Sequence, residues 1–256
     1  MSLCRRIIPV LDIAKGGVVK GVELGEVEDS ADPVMVARAY EAQGADEIAF
    51  IDVSSQRGDV LDDVLRAVSE QVFIPVTAGG GIHDAQEVKR MLTAGADRVM
   101  LNTAAVLKPE LVTECVEKFG SEALIGAVDV RRTGSEDRPW EVVTHGGRKS
   151  SGLDARAWVQ QLADYGIGEI LVTSLDQDGG REGFDQQLVE TMADIVSVPL
   201  VVAGGAGRPE DVEEALADGL ADGVMIASIF HSGEYNIGNV KNFLAARGVP
   251  IRRGAD

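Results

Sequence analysis

The chain has 256 residues, of which 45% are hydrophobic and 26% are charged. This length suits one α/β domain with a large core, since single α/β barrels of about 250 residues are common. Acidic residues outnumber basic ones by 42 to 24, for a formal net charge of -18. This charge excludes the basic surfaces that bind nucleic acid or anionic membranes. With neither a membrane-spanning apolar run nor a secretory leader in the sequence, we expect a cytoplasmic protein.

Eight short apolar runs rich in β-branched residues predict eight strands, at residues 7–11, 47–51, 75–78, 98–101, 123–128, 169–173, 199–203 and 223–226. Segments with helical periodicity separate most of them, at residues 33–43, 61–70, 85–93, 109–118, 155–164, 186–195 and 209–217. Strands that alternate with helices predict a parallel sheet, and eight such units in about 250 residues favour a closed (β/α)8 barrel. A doubly wound sheet would begin with a strand, a Gly-x-Gly-x-x-Gly turn and a helix, and that unit is missing.

The two halves of the chain resemble each other in sequence. Pro75-Val-Thr-Ala-Gly-Gly-Gly81 matches Pro199-Leu-Val-Val-Ala-Gly-Gly205, and Leu11-Asp12-Ile13 matches Val128-Asp129-Val130. The matches occur in the same order in both halves, which chance similarity of glycine-rich turns does not explain. They predict one domain over residues 1–256, built from two fused half-barrels at approximately residues 1–122 and 123–256.

Two aspartates, Asp12 and Asp129, occupy corresponding positions after the first and fifth predicted strands. Active sites of (β/α)8 barrels lie at the carboxyl ends of the strands, so we expect the two acids to face each other across the mouth. Alternatively, each caps a loop or pairs with Lys20 or Arg131. Their repeat-related placement favours catalysis, because two separated carboxylates suit proton donation on one side of a substrate and proton removal on the other.

Glycine-rich turns follow the third and seventh predicted strands, and each leads into a helix. Glycine has no Cβ, so an anion can approach backbone N–H groups at a helix N-terminus. Polar residues after the fourth and eighth strands would add donors to the same two sites. Two phosphate sites imply a substrate phosphorylated at both ends; ordinary tight turns are the alternative. The predicted ligands are Gly80, Gly81, Asn102 and Thr103 in the first half, and Gly204, Gly205, Ala227 and Ser228 in the second.

Three weaker candidates complete the predicted binding residues. Asp178-Gly179 follows the sixth strand and either binds polar substrate groups or forms a turn. Lys20 lies in a glycine-flanked stretch after the first strand, where it either covers a phosphate or is solvated. The histidines share no metal-ligand spacing, and we interpret them as structural or solvent-facing; they are His83, His145 and His231.

Charged residues of alternating sign mark the opposite ends of four predicted strands. They are Arg6, Glu47, Arg98 and Glu169, at or just before the first, second, fourth and sixth strands. This placement predicts a ring of salt bridges that closes the floor of the barrel. Buried ion pairs are costly unless they are well satisfied, so the ring is either a structural plug or a functional feature.

Ten short motifs in a fixed order cover nearly the whole chain: Arg6-Ile-Ile-Pro-Val-Leu-Asp12, Gly17-Val-Val-Lys20-Gly21, Asp32-Pro33, Gly79-Gly-Gly-Ile82, Gly95-Ala-Asp-Arg-Val99, Asn102-Thr-Ala-Ala105, His145-Gly-Gly-Arg-Lys149, Gly168-Glu-Ile170, Gly204-Gly-Ala-Gly207 and Ala227-Ser-Ile-Phe-His231. Single motifs of this kind recur in many phosphate-binding barrels. The ordered set resembles the cyclase subunits of imidazole glycerol phosphate synthase.

The resemblance implies a (β/α)8 barrel of histidine biosynthesis that acts as an ammonia-dependent lyase. Its substrate would be phosphoribulosyl-formimino-aminoimidazole carboxamide ribonucleotide, which carries a phosphate at each end. Ammonia would react with it, and the adduct would cyclise and fragment to imidazole glycerol phosphate and aminoimidazole carboxamide ribonucleotide. Asp12 and Asp129 would be the general acid and base, and the two glycine turns with their neighbouring donors would bind the phosphates.

The resemblance also implies a heterodimer with a glutaminase subunit docked at the barrel floor. Ammonia would pass from this partner through a gate formed by Arg6, Glu47, Arg98 and Glu169. No metal or redox cofactor is implied.

Several positions depart from the pattern of this family. Glu23 and Glu28 place negative charge on the loop after Lys20, and Ala203 and Gly180 remove hydroxyl groups. Two other readings therefore stay open. One is the related isomerase of the preceding step, which shares the repeat, the two aspartates and the phosphate sites. The other is a paralogous barrel that binds phosphates with weakened or lost catalysis.

Overall fold

The computed structural model of the protein describes residues 4–19, 32–54 and 60–252. Its strands are β1 (Arg6–Ala14), β2 (Gly17–Val18), β3 (Ile48–Asp52), β4 (Val76–Gly79), β5 (Arg98–Leu101), β6 (Leu124–Arg132), β7 (Trp140–Thr144), β8 (Lys149–Asp154), β9 (Glu169–Ser174), β10 (Leu200–Ala203) and β11 (Gly223–Ile226). Its helices are α1 (Pro33–Ala42), α2 (Val60–Ser69), α3 (Ala85–Ala94), α4 (Thr103–Leu107), α5 (Glu110–Phe119), α6 (Ala155–Asp164), α7 (Gln186–Ile195), α8 (Pro209–Leu216), α9 (Ser228–His231) and α10 (Ile237–Ala246).

The strands form one sheet in the order β5-β4-β3-β1-β11-β10-β9-β6, and β5 also pairs with β6. These eight strands therefore close into a barrel, and they are the eight predicted from the sequence. Helices connect most of them, so the prediction of a (β/α)8 barrel is confirmed. The half-barrel repeat is visible in the elements, since β1, β3, β4 and β5 recur in order as β6, β9, β10 and β11.

The chain divides into two compact units. The first comprises Met1–Val99 with Met225–Asp256, and the second comprises Met100–Val224. Within the described ranges, no helix combines the length and the apolar character needed to cross a lipid bilayer. The extent of the domain and of its two halves stays a prediction.

Barrel strands and helices form here for local reasons that the sequence displays. Every residue of β4 and of β11 is buried, as expected of parallel strands that are covered on both faces. Helix α3 buries one residue in three along one face, begins at the N-cap Asp84 and ends at Gly95, whose φ is 119°. A left-handed residue at that position terminates a helix at little cost when it is glycine.

Aspartates at the amino ends of three strands fix the pairing between neighbouring strands. Carboxylate Oδ2 of Asp46 accepts the N–H of Ile7 at 2.9 Å, and that of Asp97 accepts the N–H of Val76 at 2.8 Å. In the second unit, Oδ2 of Asp222 accepts the N–H of Leu200 at 3.0 Å. Each side chain thus satisfies a backbone donor at the edge of the sheet that would otherwise lack a ladder partner.

Six of these strands and helices were not predicted from the sequence: β2, β7, β8, α4, α9 and α10. The hairpin β7–β8 follows β6 and pairs with it antiparallel, with Asp129 opposite Val143. Its tip contains Gly146 and Gly147, both with positive φ, and a Gly-Gly pair between short runs is a known hairpin signal. Helices α4 and α9 are too short to show a helical period. Helix α10 lies beyond the last predicted strand.

Candidate active site

Asp12 lies near the carboxyl end of β1 in the first unit and is half-buried. The strand is parallel to β3, with Asp12 opposite Ile51 and Ile13 opposite Asp52. The short strand β2 folds back onto β1, and the N–H of Val19 donates to the carbonyl of Asp12 at 2.8 Å. The backbone of Asp12 is therefore fixed from both directions. Lys20, the predicted phosphate cation, lies outside the described residues.

Asp129 lies near the carboxyl end of β6 in the second unit and is half-buried. Burial raises the pKa of its carboxyl group to about 6, and the negative charge of Asp178 acts in the same direction. Hydrogen bonds from Asn102 and Thr173 lower this pKa and only partly offset the burial. A carboxyl group that titrates near neutrality suits proton transfer at physiological pH.

Asp178 and Gly179 form a turn after β9. The N–H of Asp178 donates to the carbonyl of Ser174 at 3.0 Å, and Gly179 has a φ of 76°. Burial raises the pKa of Asp178, while the N–H of Gly179 lowers it. The turn alternative of the sequence analysis is thus realised, and it holds the carboxylate of Asp178 close enough to act electrostatically on Asp129. A role of Asp178 and Gly179 in substrate binding stays a prediction.

Asn102 and Thr103 follow β5 and serve different contacts. Asn102 uses its side chain on Asp129 and makes no cap bond to α4. The hydroxyl of Thr103 accepts the backbone N–H of His145 at 2.9 Å. His145 lies at the tip of the β7–β8 hairpin with a φ of 57°, so the hairpin reaches the predicted phosphate residues. The sequence analysis missed this contact because it did not predict the hairpin.

The glycine turns bring backbone segments into close approach. At Gly80, φ is 96° and a Cβ would lie 2.3 Å from the carbonyl oxygen of Asp52. At Gly204, φ is 88° and a Cβ would lie 2.4 Å from the carbonyl oxygen of Ser174. Both glycines are therefore required by the turn itself, whatever they bind. Gly81 also has a positive φ and is exposed, whereas Gly205 would place a Cβ 2.1 Å from Gly183 O.

Acidic side chains accept backbone N–H groups near the starts of the two helices that follow these turns. Asp84 accepts the N–H groups of Gln86 and Glu87 in the first turn of α3, at 2.9 and 3.0 Å. Asp211, in the first turn of α8, accepts the N–H groups of Gly207 and Arg208, which precede that helix, at 2.9 and 3.0 Å. Binding of an anion at the two glycine turns stays a prediction.

The short helices α4 and α9 differ in this respect. Neither has a side-chain hydrogen bond from its N-cap residue, which is Asn102 for α4 and Ala227 for α9. Thr103 and Ser228 begin the two helices. Barrels of this class often bind phosphate at the N-terminus of a short extra helix after the last strands. Binding of an anion by Asn102, Thr103, Ala227 and Ser228 stays a prediction.

Three of the four predicted floor residues form one cluster at the amino ends of β1, β3 and β5. Glu47 is 1% exposed and accepts from Arg6 Nη1 at 3.2 Å and from Arg98 Nη2. Its other oxygen accepts from the hydroxyl of Thr77, a partner that sequence reasoning missed. Glu169 is buried at the start of β9 in the second unit. A ring that joins all four residues stays a prediction.

Side chains that could bind metal do not cluster in the described residues: no three His, Cys, Asp or Glu come together there as ligands. The absence of a cofactor stays a prediction. A family model described as histidine biosynthesis protein matches residues 6–236.

The chain belongs to this family. It is accordingly a (β/α)8 barrel enzyme of histidine biosynthesis. The match begins at the first residue of β1 and continues past β11, so that it includes the whole barrel. Membership of the histidine biosynthesis family does not distinguish between the cyclase and the isomerase.

Proposed function

We propose that the protein is the ammonia-dependent cyclase of histidine biosynthesis, a lyase that produces imidazole glycerol phosphate and aminoimidazole carboxamide ribonucleotide. The observation that carries the acid–base chemistry of this proposal is the carboxyl group of Asp129 at the end of β6, whose pKa is raised to about 6. Perturbed carboxyl groups at the carboxyl ends of barrel strands are typical of catalytic acids and bases. The motifs at His145–Lys149 and Ala227–His231 favour the cyclase over the isomerase.

Asp129 and Asp12 supply the proton transfers of this reaction. Attack by ammonia on the substrate leaves a proton to be removed from nitrogen, and fragmentation needs a proton on the departing amine. A carboxyl group with a pKa of about 6 exchanges a proton readily in both directions near pH 7. Asn102 and Thr173 hold the carboxylate of Asp129 through hydrogen bonds, which orients it for the transfer.

The substrate phosphates bind in this proposal at the two repeat-related sets of residues. One set contains Gly80, Gly81, Asn102 and Thr103, and the other contains Gly204, Gly205, Ala227 and Ser228; Lys20, Asp178 and Gly179 contact the substrate between them. The uncapped first turns of α4 and α9 support this assignment, since backbone N–H groups bind phosphate well even in a protein of net negative charge.

Ammonia enters, in this proposal, from a glutaminase partner at the amino ends of the strands. The buried cluster of Arg6, Glu47 and Arg98 supports a functional role there. Burying a carboxylate with two guanidinium groups costs desolvation free energy, and apolar side chains would close the barrel at a lower cost. Arg98 and Glu47 would open and close the passage, with Glu169 as the fourth residue of the gate.

An activity assay with the purified chain, the bisphosphate substrate and excess ammonium salt at alkaline pH tests the cyclase directly. Ammonium salt replaces the partner. We expect turnover, and we expect Asp12→Asn and Asp129→Asn each to lower kcat by about 10²-fold or more. Asp164→Asn, the same change on the exposed part of α6, is the matched control and should retain full activity.

The isomerase substrate is assayed in parallel. Turnover of that substrate alone would replace the cyclase by the isomerase. Substrate binding without turnover of either compound would show a paralogous barrel that kept its phosphate sites. Equal kinetics of the parent protein and Asp129→Asn would refute the assigned role of this acid.

The glutaminase partner is tested separately, by gel filtration of the mixed pure proteins. We expect a 1:1 complex. In Glu47→Gln we expect weaker coupling of glutamine hydrolysis to cyclisation, while the ammonium-dependent activity is retained. The absence of any complex would count against the partner and leave the cyclase reaction standing.

A further inference from the structure

The imidazole ring of His231 connects two segments of the first unit. His231 is the last residue of α9, the short helix that begins at Ser228. Its Nε2 lies 2.9 Å from the carbonyl oxygen of Val10 on β1, and its Nδ1 lies 2.6 Å from the hydroxyl of Tyr40 on α1. The two rings stack, with centroids 6.0 Å apart and planes inclined by 25°.

The partners determine which nitrogen carries the proton. A carbonyl oxygen only accepts, so Nε2 of His231 must donate to Val10. In the neutral ring Nδ1 is then an acceptor, and the hydroxyl of Tyr40 must donate to it. Burial raises the pKa of Tyr40 to about 12, which keeps its hydroxyl protonated as a donor. The two hydrogen bonds therefore fix one tautomer of His231.

Val10 has its carbonyl on the side of β1 that faces away from β3. The carbonyls of Ile7 and Ile13 accept N–H groups from the β3 side, and successive carbonyls of a strand point in opposite directions within the sheet. The neighbour on the other side is β11, which ends at Ile226. The imidazole N–H of His231 thus satisfies a carbonyl on the side of β1 that faces away from β3.

We propose that His231, held in one tautomer by its bonds to Val10 and Tyr40, is a positioning residue that fixes the Ala227–Ser228 turn against the strand carrying Asp12. Val10 precedes Asp12 by two residues on β1, and His231 follows Ser228 by three residues on α9. A single side chain therefore ties the middle of β1, two residues before Asp12, to the segment that the proposed function assigns to a substrate phosphate. This inference rests on the proposed function for its catalytic consequence.

Loss of this tie should affect substrate binding more than the chemical step. Strand β1 stays paired with β3 on its other side, so Asp12 keeps its place. Helix α9 has only four residues, and such a short helix depends on tertiary contacts for its position. We therefore expect the KM for the bisphosphate substrate to rise while kcat changes little.

Two amide substitutions at His231 distinguish its hydrogen bond to Val10 from its hydrogen bond to Tyr40. In His231→Gln the amide nitrogen reaches the position of Nε2 and preserves the bond to Val10. In His231→Asn the amide reaches only the position of Nδ1, so the bond to Val10 is lost. We expect KM to rise about tenfold in His231→Asn, in line with one lost hydrogen bond, and about twofold or less in His231→Gln. Tyr40→Phe, which removes only the hydroxyl, should lie between them.

A merely structural residue would lower the melting temperature in all three variants without this order in KM. Equal KM values in His231→Asn and His231→Gln would overturn the proposal, as would a loss confined to kcat. If the histidine variants fail to fold, the KM of Tyr40→Phe is the deciding measurement: a raised KM supports the proposal, and a KM equal to that of the parent protein overturns it.

The tautomer is measured independently of catalysis, from the ¹⁵N shifts of the His231 ring in the full chain. We expect the Nε2-protonated form in the parent protein and also in Tyr40→Phe, where the bond to Val10 persists and only the shift of Nδ1 changes; a ring protonated at Nδ1 in the parent would contradict the assigned bonds. If the chain is not a cyclase, calorimetric titration with inorganic phosphate replaces KM. A fixed tautomer together with unchanged phosphate affinity in His231→Asn would reject the positioning role and leave the reaction unaffected.

Discussion

Carboxylates at the two ends of the barrel strands have opposite kinds of neighbours. At the amino ends, Asp46 accepts from Lys241 Nζ at 2.7 Å and from Arg252 Nε at 2.9 Å, and Glu47 accepts from two arginines. At the carboxyl end of β6, Asp129 has Asn102 and Thr173 as hydrogen-bond partners and the like charge of Asp178 as an electrostatic neighbour. Buried acids are therefore neutralised at one end and left perturbed at the other.

This difference separates stability from function. A buried carboxylate paired with a cation stays ionised and holds elements together, whereas one without a cation is destabilised in its charged form and titrates near neutrality. The amino ends of β1 and β3 are built in the first way. The carboxyl end of β6 has a carboxylate without a paired cation, and burial raises the pKa of Asp129 into the range that suits proton transfer.

The largest effect should follow from breaking the neutralised region at Asp46. Lys241 is 4% exposed and Asp46 is 6% exposed, and burial lowers the pKa of Lys241 although Asp46 opposes that shift. Asp46→Ala leaves a buried ammonium group with only a carbonyl partner and removes the acceptor for the N–H of Ile7. We expect the free energy of unfolding, measured in urea, to fall by about 3–5 kcal/mol.

Two further variants identify the source of this loss. Arg252 is 55% exposed, so Arg252→Met should cost less than about 1 kcal/mol. Adding Lys241→Met to Asp46→Ala removes the unpaired charge and should restore more than half of the lost stability. A double variant as unstable as Asp46→Ala would show that the burial of charge is not the cause.

An opposite and smaller effect is expected at Asp129. Its pKa is about 6 in the folded protein against an ordinary value of 3.8 for an aspartate, so the unfolded chain ionises first as the pH rises. The folded state is therefore fully stable with respect to this group below about pH 4, and it loses stability up to about pH 6 and remains lower above it. Asp129→Asn removes this loss and should be more stable than the parent protein at pH 8, by at most about 3 kcal/mol.

Urea unfolding of the parent protein and Asp129→Asn at pH 4 and pH 8 measures this difference. Asp164→Asn controls for the general effect of losing one charge. A difference between parent and Asp129→Asn that is the same at both pH values would contradict the raised pKa.

The smallest effect is expected from the neighbouring acid. The negative charge of Asp178 raises the pKa of Asp129, so Asp178→Asn should lower it. The acidic limb of the pH–rate profile should then move to lower pH by less than about one unit. The position of the limb is the relevant measurement, because Asp178 is also a proposed substrate ligand and its loss should lower activity at every pH. A limb that moves to higher pH would reverse the assigned electrostatic influence.

The barrel strands could be predicted from the sequence because burial on both faces leaves continuous apolar runs. Most helices could be predicted from the helical periodicity of their apolar residues. The run at residues 223–226 is β11 without any change of bounds, and the run at 98–101 is β5. The positions of Asp12 and Asp129 at strand ends followed from the same pattern. The internal repeat showed that Asp12 and Asp129 are equivalent, because each lies at the same position relative to the strand that begins its half of the chain.

Contacts between distant residues could not be predicted in this way. Asp84 accepts N–H groups in the first turn of α3, and Asp211 accepts the N–H of Gly207 just before α8. Asp is a preferred residue at helix starts, but the sequence does not give the particular N–H groups that each carboxylate accepts. Thr77 reaches Glu47 across strands. The histidine at position 231 had no distinguishing spacing, because its partners Val10 and Tyr40 are far away in sequence.

The sequence by itself determined the alternation of strands and helices, the closed parallel barrel and the ends of the strands at which the two catalytic candidates lie. These features depend on local propensity and on the periodic burial of apolar side chains. Only the tertiary structure decided which acids are neutralised and which are perturbed. The raised pKa of Asp129 and the ion pairs of Asp46 depend on the charges and donors within a few ångströms, and folding brings those groups together from distant parts of the chain.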